Sequence, residues 1–177
     1  MTEKFEETFW AEAIKLASPH FYTLVTCVDK DGRPNVMGLS WWMFTSVNPP
    51  LAAISVGQAH YSHQCLEGCK EFVLCFPSEA QKDGAWFCGT KSGRNYDKFK
   101  ESGLKAVPAT KVRPPLIEGA MLAFECKVVK ELDVGDHTIY IGEIVAMHKT
   151  PGVEKHLYTI AYSSLLSIDN EGGLEKL

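Results

Sequence analysis

The sequence lacks several features that would assign it at once to a common class of protein. No apolar run approaches the roughly 20 residues of a membrane span, so we expect no membrane segment. Neither G-x-G-x-x-G nor G-x-x-x-x-G-K-[ST] occurs, so the two common nucleotide-binding loops are absent. Lysines and arginines form no cluster and the net charge is −4, which argues against a nucleic-acid ligand.

Cysteine is present without the spacing of a redox or zinc motif. The chain has 6 cysteines and no C-x-x-C, and most of them stand in apolar runs such as "TLVTCV" and "EFVLCF". Free cysteines of this kind are commonly buried as small hydrophobic residues. They suit a reducing compartment. The first residues, "MTEKFEETFW", also lack the basic start and apolar centre of a signal peptide. We therefore expect a cytoplasmic protein.

The 177 residues have the composition of one globular domain, 45% hydrophobic and 23% charged, and we treat 1–177 as that domain. Six segments are rich in β-branched and aromatic residues, with the turn Asp31-Gly32 between the first two. The predicted strands are "HFYTLVTCVD", "NVMGLSWWMF", "LAAISV", "EFVLCF", "GAMLAFECKVVKEL" and "TIYIGEIVAMHK". Helical patterns occupy "FEETFWAEAIKLA" and parts of 78–105. Hairpin-sized steps with helices between them predict a mainly β fold, a six-stranded antiparallel barrel.

"HYSHQCLEGC", residues 60–69, first suggests a metal site because it holds two histidines and two cysteines. If a helix begins near Ser62, however, His63 points away from Cys65, and four ligands from one short helix suit tetrahedral zinc poorly. Ser62 is a preferred N-cap residue, and the amides behind it could hold an anion. A simple helix cap and a metal site both remain as alternatives.

Three further stretches carry chemical groups. In "SWWMFTSVNPP", Trp41 and Trp42 project to opposite faces of a strand, so one can fill the core while the other meets a ligand or a partner chain. "CGTKSGRNYDKF" concentrates positive charge, which serves either a solvated loop or an anion site. His137 lies in or beside a hairpin turn, where a solvated histidine is also common.

Taken in order, Asn35, "SWW…NPP", "FVLCFP", "CGTKSGRNYDKF" and "GDHTIYIGEI" resemble the flavin reductase-like, FMN-binding split-barrel proteins, with flavoredoxin the nearest subgroup. The resemblance runs from about Tyr22 to Lys149. It implies a split β-barrel with inserted and flanking helices, a homodimer, and FMN as cofactor. It also implies flavin-based electron transfer, with an NAD(P)H-dependent flavin reductase and a non-catalytic FMN-binding module as alternatives. The partner that exchanges electrons would be NAD(P)H or a redox protein.

The resemblance also implies a set of cofactor-binding residues. Asn35 and Trp41 would lie near the ring and ribityl chain, and the strand end Met43 to Ser46 would meet the pyrimidine side. Ser62 and Lys98 would bind the phosphate, while His137 and Tyr162 would approach the flavin ring. The full set is Asn35, Trp41, Met43, Thr45, Ser46, Ser62, Lys98, His137 and Tyr162. No catalytic residue and no metal ligand are assigned.

Overall fold

The computed structural model describes residues 4–168 and 174–176, and in them the β-structure is antiparallel throughout. The strands are β1 His20–Phe21, β2 Thr23–Val28, β3 Pro34–Leu39, β4 Trp42–Ser46, β5 Leu51–Gly57, β6 Glu71–Phe76, β7 Ala106–Val107, β8 Leu116–Ile117, β9 Leu122–Val134, β10 His137–Lys149, β11 His156–Ile160, β12 Ser164–Ile168 and β13 Leu174–Lys176. The helices are α1 Trp10–Leu16, α2 Tyr61–Cys69, α3 Lys82–Thr90 and α4 Lys98–Ser102, with a 3-10 turn at Glu79–Gln81.

The main sheet has seven strands in the order β3-β2-β6-β9-β10-β5-β4, so the prediction of six strands is wrong by one. The second predicted strand is interrupted at Ser40 and Trp41, and its two halves, β3 and β4, form opposite edges of the sheet. Side chains from both ends of the sheet, such as Leu39 and Ile54, nevertheless meet in one core. The sheet is therefore curled into a barrel that is split between β3 and β4.

A second core lies outside the barrel, between β2 and β6 on one side and α3 on the other. Leu24, Val73 and Cys75 face Ala85 and Cys88 across this layer. Because both faces of β2 and β6 are covered, their sequences "TLVTCV" and "EFVLCF" are apolar without strict alternation. All six cysteines are free and buried, as the apolar runs predicted.

The connections that surround the site follow their local sequence. Gly32 has a φ of 80° in the β2–β3 hairpin, where the Asp29 carboxylate accepts hydrogen bonds from the backbone amides of Asp31 and Arg33. Ser78 and Gln81 form a capping box before α3. Gly103, with φ of 73°, ends α4. These turns set the positions of β3, α3 and α4 around one side of the barrel.

The N-terminal helix is shorter than predicted and packs loosely. The pattern predicted "FEETFWAEAIKLA", whereas α1 spans Trp10–Leu16 and buries no residue. Phe9, Trp10 and Leu16 are all more than two-thirds exposed. A small second sheet, β1-β11-β12-β13, was not predicted. Among the described residues no helix has the length and apolar character to cross a membrane.

Candidate functional site

A groove runs along the split side of the barrel and consists of two adjoining cavities. One, of about 280 Å³, is called the ring cavity below because aromatic side chains line it. The other, of about 350 Å³, is called the cationic cavity because lysine and arginine line it. The two share a wall formed by Met37, Gly38, His60, Gly89 and Thr90. A ligand can therefore extend from one cavity into the other.

Two glycines bring backbone to the floor of the groove. A Cβ at Gly38 would lie 2.8 Å from the Cα of Gly89 and 2.2 Å from the hydroxyl of Tyr22. A Cβ at Gly89 would lie 2.0 Å from the same hydroxyl. Only glycine fits at such a close crossing. The Tyr22 hydroxyl donates to the Ala85 carbonyl at 3.1 Å, which joins α3 to the barrel here.

The ring cavity presents a connected set of aromatic side chains. Trp41 stacks on His137, with ring centroids 5.0 Å apart and an angle of 29° between the planes. The Trp41 indole N–H donates to the Tyr162 hydroxyl at 2.9 Å. Tyr162 has a φ of 56° and Ala161 a φ of 50° in the tight turn between β11 and β12, a left-handed conformation that is rare for a tyrosine. A flat aromatic ligand would find stacking surface on this wall.

Two polar groups modify the ring cavity. The Nδ1 atom of His137 is 2.7 Å from the Asp136 carboxylate, whose pKa is lowered by this contact. Its other nitrogen, Nε2, faces Gly57 and the groove, since a Cβ at Gly57 would lie 3.5 Å from it. Thr159 is 1% exposed, and its hydroxyl has no hydrogen-bond partner within the described ranges. Both Nε2 and this hydroxyl are available to a ligand.

In the cationic cavity, Ser62 lies within the first turn of α2. The N-cap is His60, not Ser62, so the expectation that Ser62 caps the helix is wrong. Ser62 is 3% exposed, and its Oγ accepts a hydrogen bond from Asn35 Nδ2 at 2.8 Å. The Ser62 side chain also hydrogen-bonds the Cys27 thiol. Because the Asn35 amide occupies only a lone pair, the hydroxyl hydrogen can turn instead to a ligand that accepts, such as a phosphate oxygen. The nine residues of α2 add the positive end of the helix dipole.

Lys98 lines the same cavity but is 5% exposed. Its ammonium donates to the carbonyls of Val36, at 2.8 Å, and Cys88, at 2.7 Å. An ammonium has three N–H groups, so one is left over for the cavity. Burial lowers the pKa of Lys98, because leaving water disfavours its charged form. A bound anion would offset that cost.

Arg94 and His60 complete the cationic cavity. Arg94 donates to the Ala59 carbonyl at 3.0 Å, and its guanidinium lies 5.6 Å from the centre of the Tyr61 ring. Partial burial, followed by the charges of His137, Lys98 and Arg94, lowers the pKa of His60. The nearby positive charges disfavour the protonated form of His60, and the same positive potential favours an anion in this cavity.

The structure brings together six of the nine predicted cofactor-binding residues and leaves three elsewhere. Asn35, Trp41, Ser62, Lys98, His137 and Tyr162 lie in or directly behind the groove. The other three, Met43, Thr45 and Ser46, line neither cavity. The chain meets the groove at Leu39, Ser40 and Trp41, and β4 then continues away from it. Their role as cofactor-binding residues stays a prediction.

Sequence reasoning missed several groove residues. Tyr22 lies in a predicted strand, Trp86 lies in the predicted helical region and Thr159 lies beyond the last predicted strand, and nothing in their local pattern distinguishes them. Gly38 and Gly89 carried a usable signal, since an isolated glycine inside a strand or helix pattern indicates close backbone approach. For the metal alternative at "HYSHQCLEGC", residues 4–168 and 174–176 contain no group of three or more His, Cys, Asp or Glu that could hold an ion.

Comparison with known proteins gives a consistent assignment. Residues 16–165 match the family model described as flavin reductase like domain. An uncharacterized protein of Archaeoglobus fulgidus is 37% identical over 131 residues, which are 74% of this chain and 71% of that protein. The NADH-dependent FAD reductase of Streptomyces globisporus is 30% identical over 141 residues, 78% of this chain and 76% of that protein.

A solved structure agrees with the fold over the whole chain. The flavoredoxin of Desulfovibrio vulgaris (Miyazaki F) is similar with a TM-score of 0.76 at 26% identity. The similarity covers 100% of this chain and 93% of the flavoredoxin chain. The mainly β, split-barrel architecture described above is thus shared with a protein of known structure.

Proposed function

The chain belongs to the flavin reductase-like family and its function is flavin-based redox chemistry, and from this premise we propose that it binds FMN along the groove and transfers electrons through it. One observation carries the proposal: an aromatic cavity opens directly into a cationic one that contains an available serine hydroxyl. FMN has the same two parts, a flat ring system and a single phosphate. The cofactor, when bound, supplies the electron-transfer chemistry.

The cationic cavity fits one phosphate. Ser62 offers a hydroxyl hydrogen, α2 offers its first amides, and Lys98 and Arg94 offer positive charge. Asn35 acts behind Ser62 by fixing its hydroxyl, rather than by contact with the ligand. This arrangement agrees with the roles that the resemblance implied for Ser62 and Lys98.

The ring cavity fits the isoalloxazine. Trp41, His137 and Tyr162 would exclude water from one part of the ring and stack against it. His137 Nε2 could hydrogen-bond the ring, and a protonated His137 would stabilise an anionic reduced flavin. The Asp136 carboxylate, 2.7 Å from Nδ1, fixes the orientation of the His137 ring. We therefore assign His137 the tuning of the flavin's reduction potential.

Two redox roles remain in competition. We favour a flavoredoxin-like carrier that keeps FMN and exchanges electrons with a protein partner, because no sequence feature marks a nicotinamide site. The alternative is a flavin reductase that accepts hydride from NAD(P)H, as the name of the Streptomyces globisporus relative suggests for that protein. A module that binds FMN without turnover is the third reading.

We also propose that the protein is a homodimer in which the outer faces of β4, β5 and β10 meet. Strand pairing places Met43, Ala53, Ile139 and Ile141 on one face of this part of the sheet. Three of them, Met43, Ala53 and Ile139, line a largely apolar cavity of about 240 Å³ together with Trp41 and Trp42. Such a surface is typical of an interface between subunits. It adjoins the ring cavity at Trp41, so the flavin would lie near the interface.

We propose a cytoplasmic location, which the six free and buried cysteines support.

Purification and anaerobic titration test the proposal. The purified protein should be yellow, or should become yellow with the FMN absorption bands after loading. Loss of the oxidised-flavin band on anaerobic addition of NADH or NADPH would identify a reductase. Retention of that band, with reduction only by a reduced redox protein, would identify a carrier. A colourless protein that cannot be loaded with FMN would contradict both.

A further inference from the structure

Two cysteines lie together behind the cationic cavity, one on β2 and one on α2. Cys27 is 0% exposed and Cys65 is 2% exposed, and both belong to the buried core of the barrel. The Cys27 thiol hydrogen-bonds the Cys65 sulfur. Two sulfur atoms in such contact need to approach each other by only about 2 Å to reach disulfide distance. A bond between them would join α2 to β2, which already pack against each other.

The cysteine pair is connected to the cationic cavity through Asn35 and Ser62. Cys27 lies opposite Asn35 in the β2–β3 pairing, and the Asn35 amide nitrogen is 3.6 Å from the Cys27 sulfur. The same nitrogen is 2.8 Å from the Ser62 hydroxyl oxygen. Cys65 follows Ser62 by one turn of α2 and lies on the same face of that helix. Because Ser62 lines the cationic cavity and also contacts Cys27, the two sulfur atoms lie directly behind the cavity wall.

The surroundings give the two thiols different reactivities. The hydrogen bond from Cys27 lowers the pKa of the Cys65 thiol. Tyr61 and Arg94 act in the same direction, and together these groups outweigh burial and the charge of Asp29. Contact with Cys65, followed by burial, raises the pKa of Cys27 well above its ordinary value. Since the thiolate is the nucleophilic form of cysteine, Cys65 is the sulfur that attacks an oxidant, and Cys27 is the one that attacks afterwards.

We propose that Cys27 and Cys65 form a reversible disulfide when hydrogen peroxide enters the cationic cavity in the absence of a bound phosphate. The Cys65 thiolate attacks one peroxide oxygen, the O–O bond breaks, and the departing hydroxide takes up a proton to form water. The Cys27 sulfur then loses its proton and displaces the oxygen from Cys65 as a second water. In total the two thiols lose two electrons and two protons, and one peroxide is reduced to two waters.

The position of the two sulfur atoms determines both the oxidant and its control. Hydrogen peroxide is close to water in size, whereas a bulky disulfide cannot reach sulfur atoms that are almost completely buried. A phosphate bound at Ser62 would block the approach from the cavity, and its negative charge would disfavour the Cys65 thiolate. The filled site is therefore protected and the empty site is oxidised. This protection rests on the proposed FMN groove, whereas the disulfide itself does not.

Mass spectrometry of the cofactor-free protein after peroxide treatment tests the disulfide. Alkylation in denaturant should modify four of the 6 cysteines, and all of them after reduction with a dithiol. Trypsin and a glutamate-specific protease, which cuts after Glu67, should release Cys27 linked to Cys65 and not to Cys69. Cys69 provides the control, because it lies on the same face of α2 and burial raises its pKa.

The variants should separate the roles of the cysteines. Cys69→Ala should form the same disulfide, whereas Cys27→Ala should form none and should gain one oxygen atom on Cys65. The peptide map of the unchanged protein decides the question even where a variant fails to fold. Alkylation of every cysteine after peroxide treatment, or a link between other cysteines, would overturn the proposal.

The rate of disulfide formation, followed in the dark with and without flavin, tests the protection. Saturating FMN should slow the reaction several-fold, and riboflavin, which lacks the phosphate, should leave the rate unchanged. An unchanged rate in protein that has bound FMN would overturn the protection. Failure of FMN to bind would overturn the proposed function and the protection together, while the disulfide would still be decided by the mass measurement.

Discussion

At the scale of single residues, Ser62 is the clearest case of a side chain prepared for a ligand. It is buried, its oxygen accepts a hydrogen bond from Asn35, and its hydrogen can be donated to an acceptor in the cavity. We expect Ser62→Ala to weaken FMN binding by about 1–2 kcal/mol, the value of a hydrogen bond to a charged group. Fluorescence titration of the apoprotein would measure the change.

Ser46→Ala provides a matched control. Ser46 was also predicted to meet the cofactor, but it lines neither part of the groove, and the substitution leaves its backbone intact. Its FMN affinity should equal that of the unchanged protein. An unchanged affinity in Ser62→Ala would exclude Ser62 from the phosphate site.

The two cations of the groove should respond differently to salt. Lys98 is buried, whereas Arg94 is exposed, and salt screens exposed charges far more strongly than buried ones. We expect Arg94→Met to weaken FMN binding at about 0.02 M salt and to have little effect at about 0.5 M. Lys98→Met should weaken binding at both concentrations. FMN titrations of the two variants at each salt concentration would measure this.

The Lys98 ammonium also donates hydrogen bonds to two backbone carbonyls, so a melting curve must accompany the FMN titration of Lys98→Met. A folded Lys98→Met protein that binds FMN normally, or one whose defect disappears at high salt, would contradict a buried phosphate contact from Lys98.

At the scale of elements, one buried carboxylate fixes the chain before β8 to the barrel. Glu125 on β9 is fully buried. Its carboxylate accepts hydrogen bonds from the backbone amides of Thr110 and Val112, from the Thr110 hydroxyl and from the ring of His148. Burial alone would raise the pKa of Glu125, but these donors outweigh it and lower that pKa. The carboxylate must be charged to accept all of these hydrogen bonds. The stabilisation of the folded protein by Glu125 is therefore present above the ordinary pKa of 4.5 and is lost as the pH falls below it.

We expect Glu125→Gln to lower the free energy of unfolding by about 2–4 kcal/mol at pH 7, because an amide cannot accept from every donor around it. The deficit should shrink in acid, where Glu125 itself becomes protonated. Urea unfolding at pH 7 and in acid would measure this difference in the free energy of unfolding. Glu131→Gln, which removes a half-exposed ion pair with Lys70, should cost less than about 1 kcal/mol. A deficit of equal size at both pH values would show that the charge of Glu125 is not what matters.

The elements themselves were largely predictable, and the break in one of them was not. β-branched and aromatic runs located the strands of the barrel, and Asp31-Gly32 located the first hairpin. No local signal separates β3 from β4, because "NVMGLSWWMF" has strand character throughout. The division depends on where each half pairs, β3 with β2 and β4 with β5, and such pairing is a tertiary property.

The same reason limits the prediction of the site. Ser62, Lys98 and His137 were predicted because each lies in a distinctive motif, and the fold places all three at the groove although the chain separates them widely. Thr159 was missed, since a threonine in a strand is ordinary until the fold places it beside the groove. The segment from Met43 to Ser46 was placed at the flavin on a resemblance alone. Within one chain it forms β4, whose alternate side chains, Met43 among them, lie on the outer face of the sheet.

At the scale of the whole molecule, that outer face connects the barrel to the proposed assembly. Met43 on this face is 59% exposed, which is costly for an apolar side chain that remains in water. Trp41 links this surface to the ring cavity, because it lines both. The face and the flavin site are therefore coupled through one side chain, and closing the interface would also shield the ring cavity from solvent.

Met43→Lys tests the dimer without disturbing the folded chain, since the side chain is exposed in a single subunit. In a dimer the same substitution would bury an unpaired charge on each subunit, which is strongly unfavourable. We expect the unchanged protein to have the mass of a dimer by light scattering and Met43→Lys to have the mass of a monomer at the same concentration. Leu16→Lys, on the exposed surface of α1, should remain dimeric. A monomeric unchanged protein, or a Met43→Lys protein that is still a dimer, would show that this face is not the interface.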